Sequence, residues 1–366
     1  MVKVFMMNDL VRTVMTTTGA LALLVARPPL TAAQTPAAVT KGATLEFLAR
    51  GSITAADVDD RWLFGGISGL AWDAANNALI AMSDAKDQAR AYTIPIDVAA
   101  IASGSFAVSV SATHHLPQKD GNVNPRDAEA ITPDGEGGFA IAFEAPPMFV
   151  RFNDKLSQQL LVKPAPEELS KRLIPNRAVE SFTLTPGGGP LGVAPSLLAI
   201  TEWGPEPTNR NVTGADRLKA RGRCAALALD PATLAVRAKG IYPLGRIFTT
   251  KGGKSLAEIA SIDSTSFLAL ERFIAPGAIY NAELFVVTIA AGDTADEFTL
   301  LKTPVKLPSF PGIEHLGNLE AMAIGPEIPD AKGGRLLLMA TDNNFADEKF
   351  GRPNTDFLAF RLILQK

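Results

Sequence analysis

Residues that usually betray a chemistry are scarce in this chain: of 366 residues, one is cysteine, three are histidine, three tyrosine and three tryptophan. A single thiol, Cys224, excludes an internal disulfide, and its place at the head of an apolar strand reads as a buried structural thiol rather than a nucleophile. So few histidines and cysteines exclude a zinc or copper centre built from clusters of them. Charge of one sign is lacking too. Lys and Arg number 35 against 38 Asp and Glu, a net charge of -3 with no basic stripe, which argues against a nucleic-acid partner. Past the N-terminus no uncharged run is long enough for a transmembrane helix.

The N-terminus itself departs from the rest. Lys3 and Arg12 precede an uncharged apolar stretch, Val14 to Ala26, and Thr31-Ala32-Ala33 places small residues as a cleavage site requires. Residues 1–33 are therefore expected to be a signal peptide, 34–42 a linker and 43–366 one domain, periplasmic or secreted after cleavage near Gln34. An apolar helix or a retained anchor is the alternative. Export without disulfides fits a bacterial periplasm.

What the chain does have is a repeat. Short apolar strands opened by Ser68, Glu129, Glu180, Glu258 and Glu320 are each followed by a second strand ending on Asp84, Glu144, Glu202, Glu271 and Asp342. Openers are spaced by 61, 51, 78 and 62 residues, and a recurring unit of that size signals a solenoid, propeller or array. Third strands follow at 91–97, 148–153, 224–230, 284–290 and 357–364, and fourth strands at 106–116, 158–164, 236–244 and 298–307. The last unit lacks its fourth, while the stretch 43–53 stands unassigned before the first. The expectation is an all-β propeller of four-stranded blades, its ring closed by N- and C-terminal strands. Five blades are counted, and a sixth stays open if the long third unit hides one.

In an antiparallel hairpin the first residue of one strand and the last of its partner lie at the same end, so openers and partners share one rim. Nine carboxylates then converge on one mouth: Glu129, Glu180, Glu258 and Glu320 nearest the axis, and Asp84, Glu144, Glu202, Glu271 and Asp342 around them. Glu258 departs from the pattern, because Ile259 shifts the apolar register by one. At an effective dielectric near 20 each close pair of like charges costs on the order of a few kcal/mol. Protonation, pairing with Arg126, Arg177 or Arg272, or a hard cation offsets this. Oxygen ligands favour Ca²⁺, with Mg²⁺ as the second choice. A ring of acids that water alone solvates is the bland alternative.

The strings GGISGLAWD, NPRDAEAITPDG, NRAVESFTLTPGG, LAEIASIDSTSFLALERF and LGNLEAMAIG followed by LLLMATDNNF resemble the bacterial family called "esterase-like activity of phytase", over nearly all of the chain beyond the leader. The resemblance implies a phytase-like propeller. Related calcium-dependent propeller phytases hold several Ca²⁺ ions at an acid-lined mouth, where they bind substrate phosphates and activate water. Their catalytic residues do not transfer one by one, since the strings match the esterase-like family rather than the phytases proper.

Other signals are weak. Ser68 lacks the second glycine of a nucleophile elbow, and Gly253-Lys254-Ser255 lacks the first glycine of a phosphate loop. His114 and His115 fall in an outer strand, and His315 is the one histidine near an acidic opener. Catalytic candidates are Glu180, Glu320 and His315; Arg126, Arg177, Arg272 and Asn343 are candidates for holding substrate. Three functions fit: a metal-assisted hydrolase of phosphate or carboxylate esters, a non-catalytic propeller binding a ligand or protein, and a lactonase-like hydrolase with one axial metal. A small anionic or ester substrate and a monomeric state are expected.

Overall fold

The computed structural model describes residues 42–54, 64–86, 88–117, 126–170, 177–204, 213–244, 254–275, 279–308, 317–346 and 353–365. The expected leader, most of the linker and His315 lie outside them. After β1 (Gly42–Thr54), four antiparallel sheets follow in chain order. The first holds β2 (Ile67–Asp73), β3 (Ala78–Ser83), β4 (Arg90–Pro95) and β5 (Ala112–His115); the second β6 (Arg126–Pro133), β7 (Phe139–Ala145), β8 (Pro147–Phe152) and β9 (Gln159–Pro164). The third holds β10 (Val179–Thr185), β11 (Ser196–Thr201), β12 (Arg223–Leu229) and β13 (Val236–Pro243); the fourth β14 (Lys254–Asp263), β15 (Ser266–Ala275), β16 (Ile279–Ala291) and β17 (Phe298–Val305).

The fifth sheet is β18 (Asn318–Glu327), β19 (Arg335–Asp342) and β20 (Asn354–Gln365), completed by β1 as its outer strand. The protein is thus a five-bladed β-propeller, and the closing strand lies where the sequence expects it. Pairing runs from Gly42 opposite Gln365 to Thr54 opposite Asn354. Ion pairs pin this seam. Arg50 makes a fork with Asp356 (2.8 and 2.9 Å), and buried Arg361 reaches Asp330 (2.6 Å) and Glu46 (3.0 Å). The length of the third unit comes from a helix, Gly214–Arg221, between β11 and β12, not from a hidden blade.

Most inner strands feed two cores, which explains why so many read as unbroken apolar runs. Leu79 and Ala81 pack toward the fifth blade, while Ile80 and Met82 pack toward the second. Leu198 and Ile200 face the fourth blade, and Leu197 and Ala199 the second. The hydrophobic interior is therefore five slabs, one per blade interface, and no blade buries its own faces alone. Radial repetition leaves the first strand of every blade lining the axis.

Candidate functional site

Every innermost strand carries a β-bulge near its start. The pairing slips between Ile67 and Gly69, Ala128 and Ala130, Val179 and Ser181, Leu256 and Glu258, and Leu319 and Ala321. In four blades the skipped residue is the opener, Ser68, Glu129, Glu180 or Glu320. A bulge bends the strand and re-aims the extra residue, a device common beside active sites. Following the bulge sit Gly69, Ala130, Ser181 and Ala321, and a Cβ on Gly69 would lie 3.0 Å from the backbone of Ala130, so the inner strands approach closely there.

Blade four breaks the pattern by one residue. Its skipped residue is Ala257, so Leu256 pairs with Glu271 and Ser255 with Arg272. Arg272 consequently takes the rim position that Asp342 takes opposite Asn318 in blade five. Two of the nine expected acids are displaced. Glu271 points between blades three and four, where the Tyr242 hydroxyl donates to it (2.5 Å) and Lys254 (2.5 Å) and Lys302 neutralise it. Glu258 moves one level down the axis, fully buried among the small residues of the other strands. The Ile259 amide donates to its Oε1 (2.9 Å), the Phe182 and Leu70 amides favour its charge from two other blades without closing a bond, and Oε2 has no partner. Burial pushes its carboxyl well above the usual range. Below it the next three residues of all five inner strands, from Leu70 to Ile324, line a cavity of about 210 Å³.

The remaining acids divide into two groups. Around Arg272 stand Glu320, Glu180 (3.2 Å) and Glu202 (3.5 Å), with Asn318 Oδ1 (2.8 Å) and Ser255 Oγ (3.2 Å) completing its partners. Arg177 also pairs with Glu202, and its guanidinium lies 4.8 Å from the centroid of the Trp203 ring. Burial and the neighbouring Glu202 raise the Glu180 carboxyl well above its ordinary value, against the pull of Arg272.

Beside this group, Asp127, Glu129 and Glu144 each present a carboxylate oxygen within 4.8 Å of the others. Burial, then Glu180 and Asp84, raise Glu129 strongly. Asp84 is pushed up to about 7 by burial and by Asp342 and Asp127, and Glu144 to about 7 by burial, opposed by the amide of Ala178. Asp127 is held in the left-handed region (φ 60°), a strain that persists where surrounding structure imposes it. Lys86 reaches it at 3.3 Å.

Several expected residues serve the framework instead. The Ser68 hydroxyl donates to the Ala128 carbonyl (2.6 Å), tying blade one to blade two. Asn343 is a buried clip: its Oδ1 accepts from Gly66 (3.2 Å) and Phe345 (3.0 Å), and its Nδ2 donates to Phe64 (3.1 Å). Arg126 opens β6 as an exposed residue. His114 bonds Thr93 (2.7 Å) in the outer strand, and the Cys224 thiol donates to the Glu202 carbonyl (3.3 Å) while burial pushes its pKa up. Sequence reading missed Asp127, Lys86 and Asn318. Asp127 and Asn318 each stand two residues before an opener, and that offset was the available signal.

The family described as "Phytase-like: Esterase-like activity of phytase" matches residues 63–345, and the chain belongs to it. No curated protein matches. Among solved structures, a GH62 α-L-arabinofuranosidase catalytic domain from Coprinopsis cinerea aligns at 10% identity and TM-score 0.44, over 88% of this chain and 97% of the other. The PQQ-bound aldose sugar dehydrogenase of Streptomyces coelicolor aligns at 13% identity and TM-score 0.41, over 89% and 100%. Neither likeness bears on function. Among the described residues no helix is long and apolar enough to cross a membrane.

Proposed function

From its place in that family and the chemistry of the mouth, we propose that the protein is a divalent-cation-assisted hydrolase of phosphate or carboxylate esters. Asp127, Glu129 and Glu144 would hold the cation, Ca²⁺ by preference. The observation carrying this reading is the unbalanced triad: its oxygens span no more than 4.8 Å. That span accommodates oxygens at about 2.3–2.6 Å from a common ion. Glu129 is only 8% exposed, yet no side-chain hydrogen bond or ion pair reaches it among the described residues. A buried carboxylate without a partner is held at considerable cost unless it is protonated or bound to a cation.

When bound, such an ion polarises a phosphoryl or carbonyl oxygen and acidifies water. The protein's own groups would do the rest. Arg177, a third exposed and stacked on Trp203, offers an anionic substrate group a guanidinium at the edge of the mouth. Glu180, its carboxyl raised by burial and by Glu202, would hold a proton and pass it to a leaving group, with Glu320 beside it. The Ser68 hydroxyl donates to the Ala128 carbonyl rather than to a base, which argues against it as the nucleophile.

The test combines calorimetric titration with Ca²⁺ and a screen of phosphomonoesters, short acyl esters and lactones, with and without EDTA. Hydrolysis that EDTA abolishes and Ca²⁺ restores supports the reading. Activity indifferent to EDTA but lost in Ser68→Ala overturns it. The reading includes export: cleavage near Gln34 would release a periplasmic or secreted, monomeric enzyme, and mass spectrometry finding an intact Met1 in the cytosol would refute that part.

A further inference from the structure

We infer that the mouth takes one divalent ion, and that Arg272 stands where a second would otherwise bind. This deepens the cation reading above and rests on it. The two halves of the mouth differ in how their charge is met. An arginine has five N–H donors and no acceptor. Those of Arg272 are all engaged: Nε on Ser255, Nη1 on Asn318 and Glu320, Nη2 on Glu180 and Glu202. Arg177 adds a second positive charge on Glu202.

In the other half, Asp84, Asp127, Glu129 and Glu144 face the ammonium of Lys86, which is largely exposed and makes an ion pair with Asp127, while Arg272 and Arg177 act on Asp84 and Glu144 through their field. Among the described residues no side-chain hydrogen bond or ion pair reaches Glu129, and Oδ1 of Asp84 is buried with no hydrogen-bond partner. Among the described residues, one half therefore has a lysine at its edge for four acids, while the other contains a guanidinium with all its donors engaged.

The one-residue slip of blade four creates this asymmetry. Asp84, Glu144, Glu202 and Asp342 follow directly after the residue paired across each bulge; in blade four that place belongs to Arg272. Without the slip Glu271 would stand there and the ring would be acidic all the way round, with room and charge for ions on both sides. A guanidinium fixed by five acceptors does not exchange with solvent cations, so it keeps its half closed to metal. Arg272 is in this sense a positioning residue: it confines the ion to the side of Glu129.

Native mass spectrometry and calorimetry with Ca²⁺ alone decide the matter. Wild type should bind one ion. Arg272→Met should bind two, with a thermal stability that depends on Ca²⁺ more steeply than wild type, whereas Arg272→Lys, which keeps the charge, should stay at one. Glu129→Gln should weaken the wild-type ion at least tenfold and Glu320→Gln by no more than about threefold, and this pair decides the question even if Arg272→Met fails to fold. Two or more ions in wild type would overturn the inference while leaving the cation reading intact. A folded Arg272→Met that still binds one ion, or equal losses in the two glutamate variants, would overturn it as well. No ion in wild type would remove both.

Discussion

The seam that closes the ring and the mouth at its axis use the same residue types to opposite effect. At the seam, Arg50 with Asp356 and Arg361 with Asp330 and Glu46 match each buried or half-buried charge with a fork of the other sign. At the mouth, carboxylates crowd one side with the exposed Lys86 paired to Asp127. Satisfied pairs hold a structure together, while unsatisfied ones store instability that a ligand can relieve. The contrast separates residues that keep the fold from residues that wait for something.

Removing the seam outright should have the largest effect. Deleting residues 42–54 strips the fifth sheet of its outer strand and uncovers Phe360 and Leu358, so loss of the folded state by circular dichroism is expected. Charge removal then distinguishes the two regions by sign. Arg361→Met removes the buried guanidinium, leaving Asp330 to backbone amides and Glu46 to Lys332, and should destabilise by about 1–3 kcal/mol in urea unfolding. Glu129→Gln, by contrast, relieves repulsion and should stabilise the metal-free protein by about 1 kcal/mol, raising its unfolding midpoint while abolishing the Ca²⁺-induced rise. A destabilised Glu129→Gln would erase the contrast.

A pH series sharpens it further. Asp84 and Glu144 are held near 7 in the folded chain. In the unfolded chain such carboxyls titrate at about 4. The folded state thus binds these protons more tightly, and their contribution is complete below about pH 4 and disappears as pH rises through about 7. Metal-free protein should therefore lose thermal stability between pH 5 and 8, and Ca²⁺ should restore more at pH 8 than at pH 5; a flat profile would contradict the burial of these groups. The smallest effect is expected of Ser68→Ala, about 1 kcal/mol for one hydrogen bond, with hydrolysis unchanged.

Much of this was legible in the sequence, and the reason is periodicity. Strand, turn and acid recur five times, so one misread unit is corrected by its neighbours, and the orphan stretch 43–53 could be matched with the incomplete last blade. Blade four shows where such reading stops. Glu258 and Glu271 have the right residue type at nearly the right place, yet a bulge at Ala257 shifts both, and Arg272 arrives at the rim instead. Ile259 after Glu258 was the visible hint of the shift. A bulge depends on pairing across strands, which spacing along one strand does not encode. Asp127 escaped for a similar reason: its left-handed backbone turns it into the acid group, whereas its sequence neighbour Arg126 turns outward.

The closing strand also sets an order of events. Arg50 and Asp356 lie 306 positions apart, so the last sheet cannot form until nearly the whole chain is present. Local hairpins of the first four blades can assemble early, but the slab between the fifth blade and the first must wait for both ends to meet. Contacts of such long range make closure a slow step and leave an open, sticky edge while it is pending. The ring is thus a late-closing one, and until β1 finds β20 the acids of blades five and one have no common mouth to share.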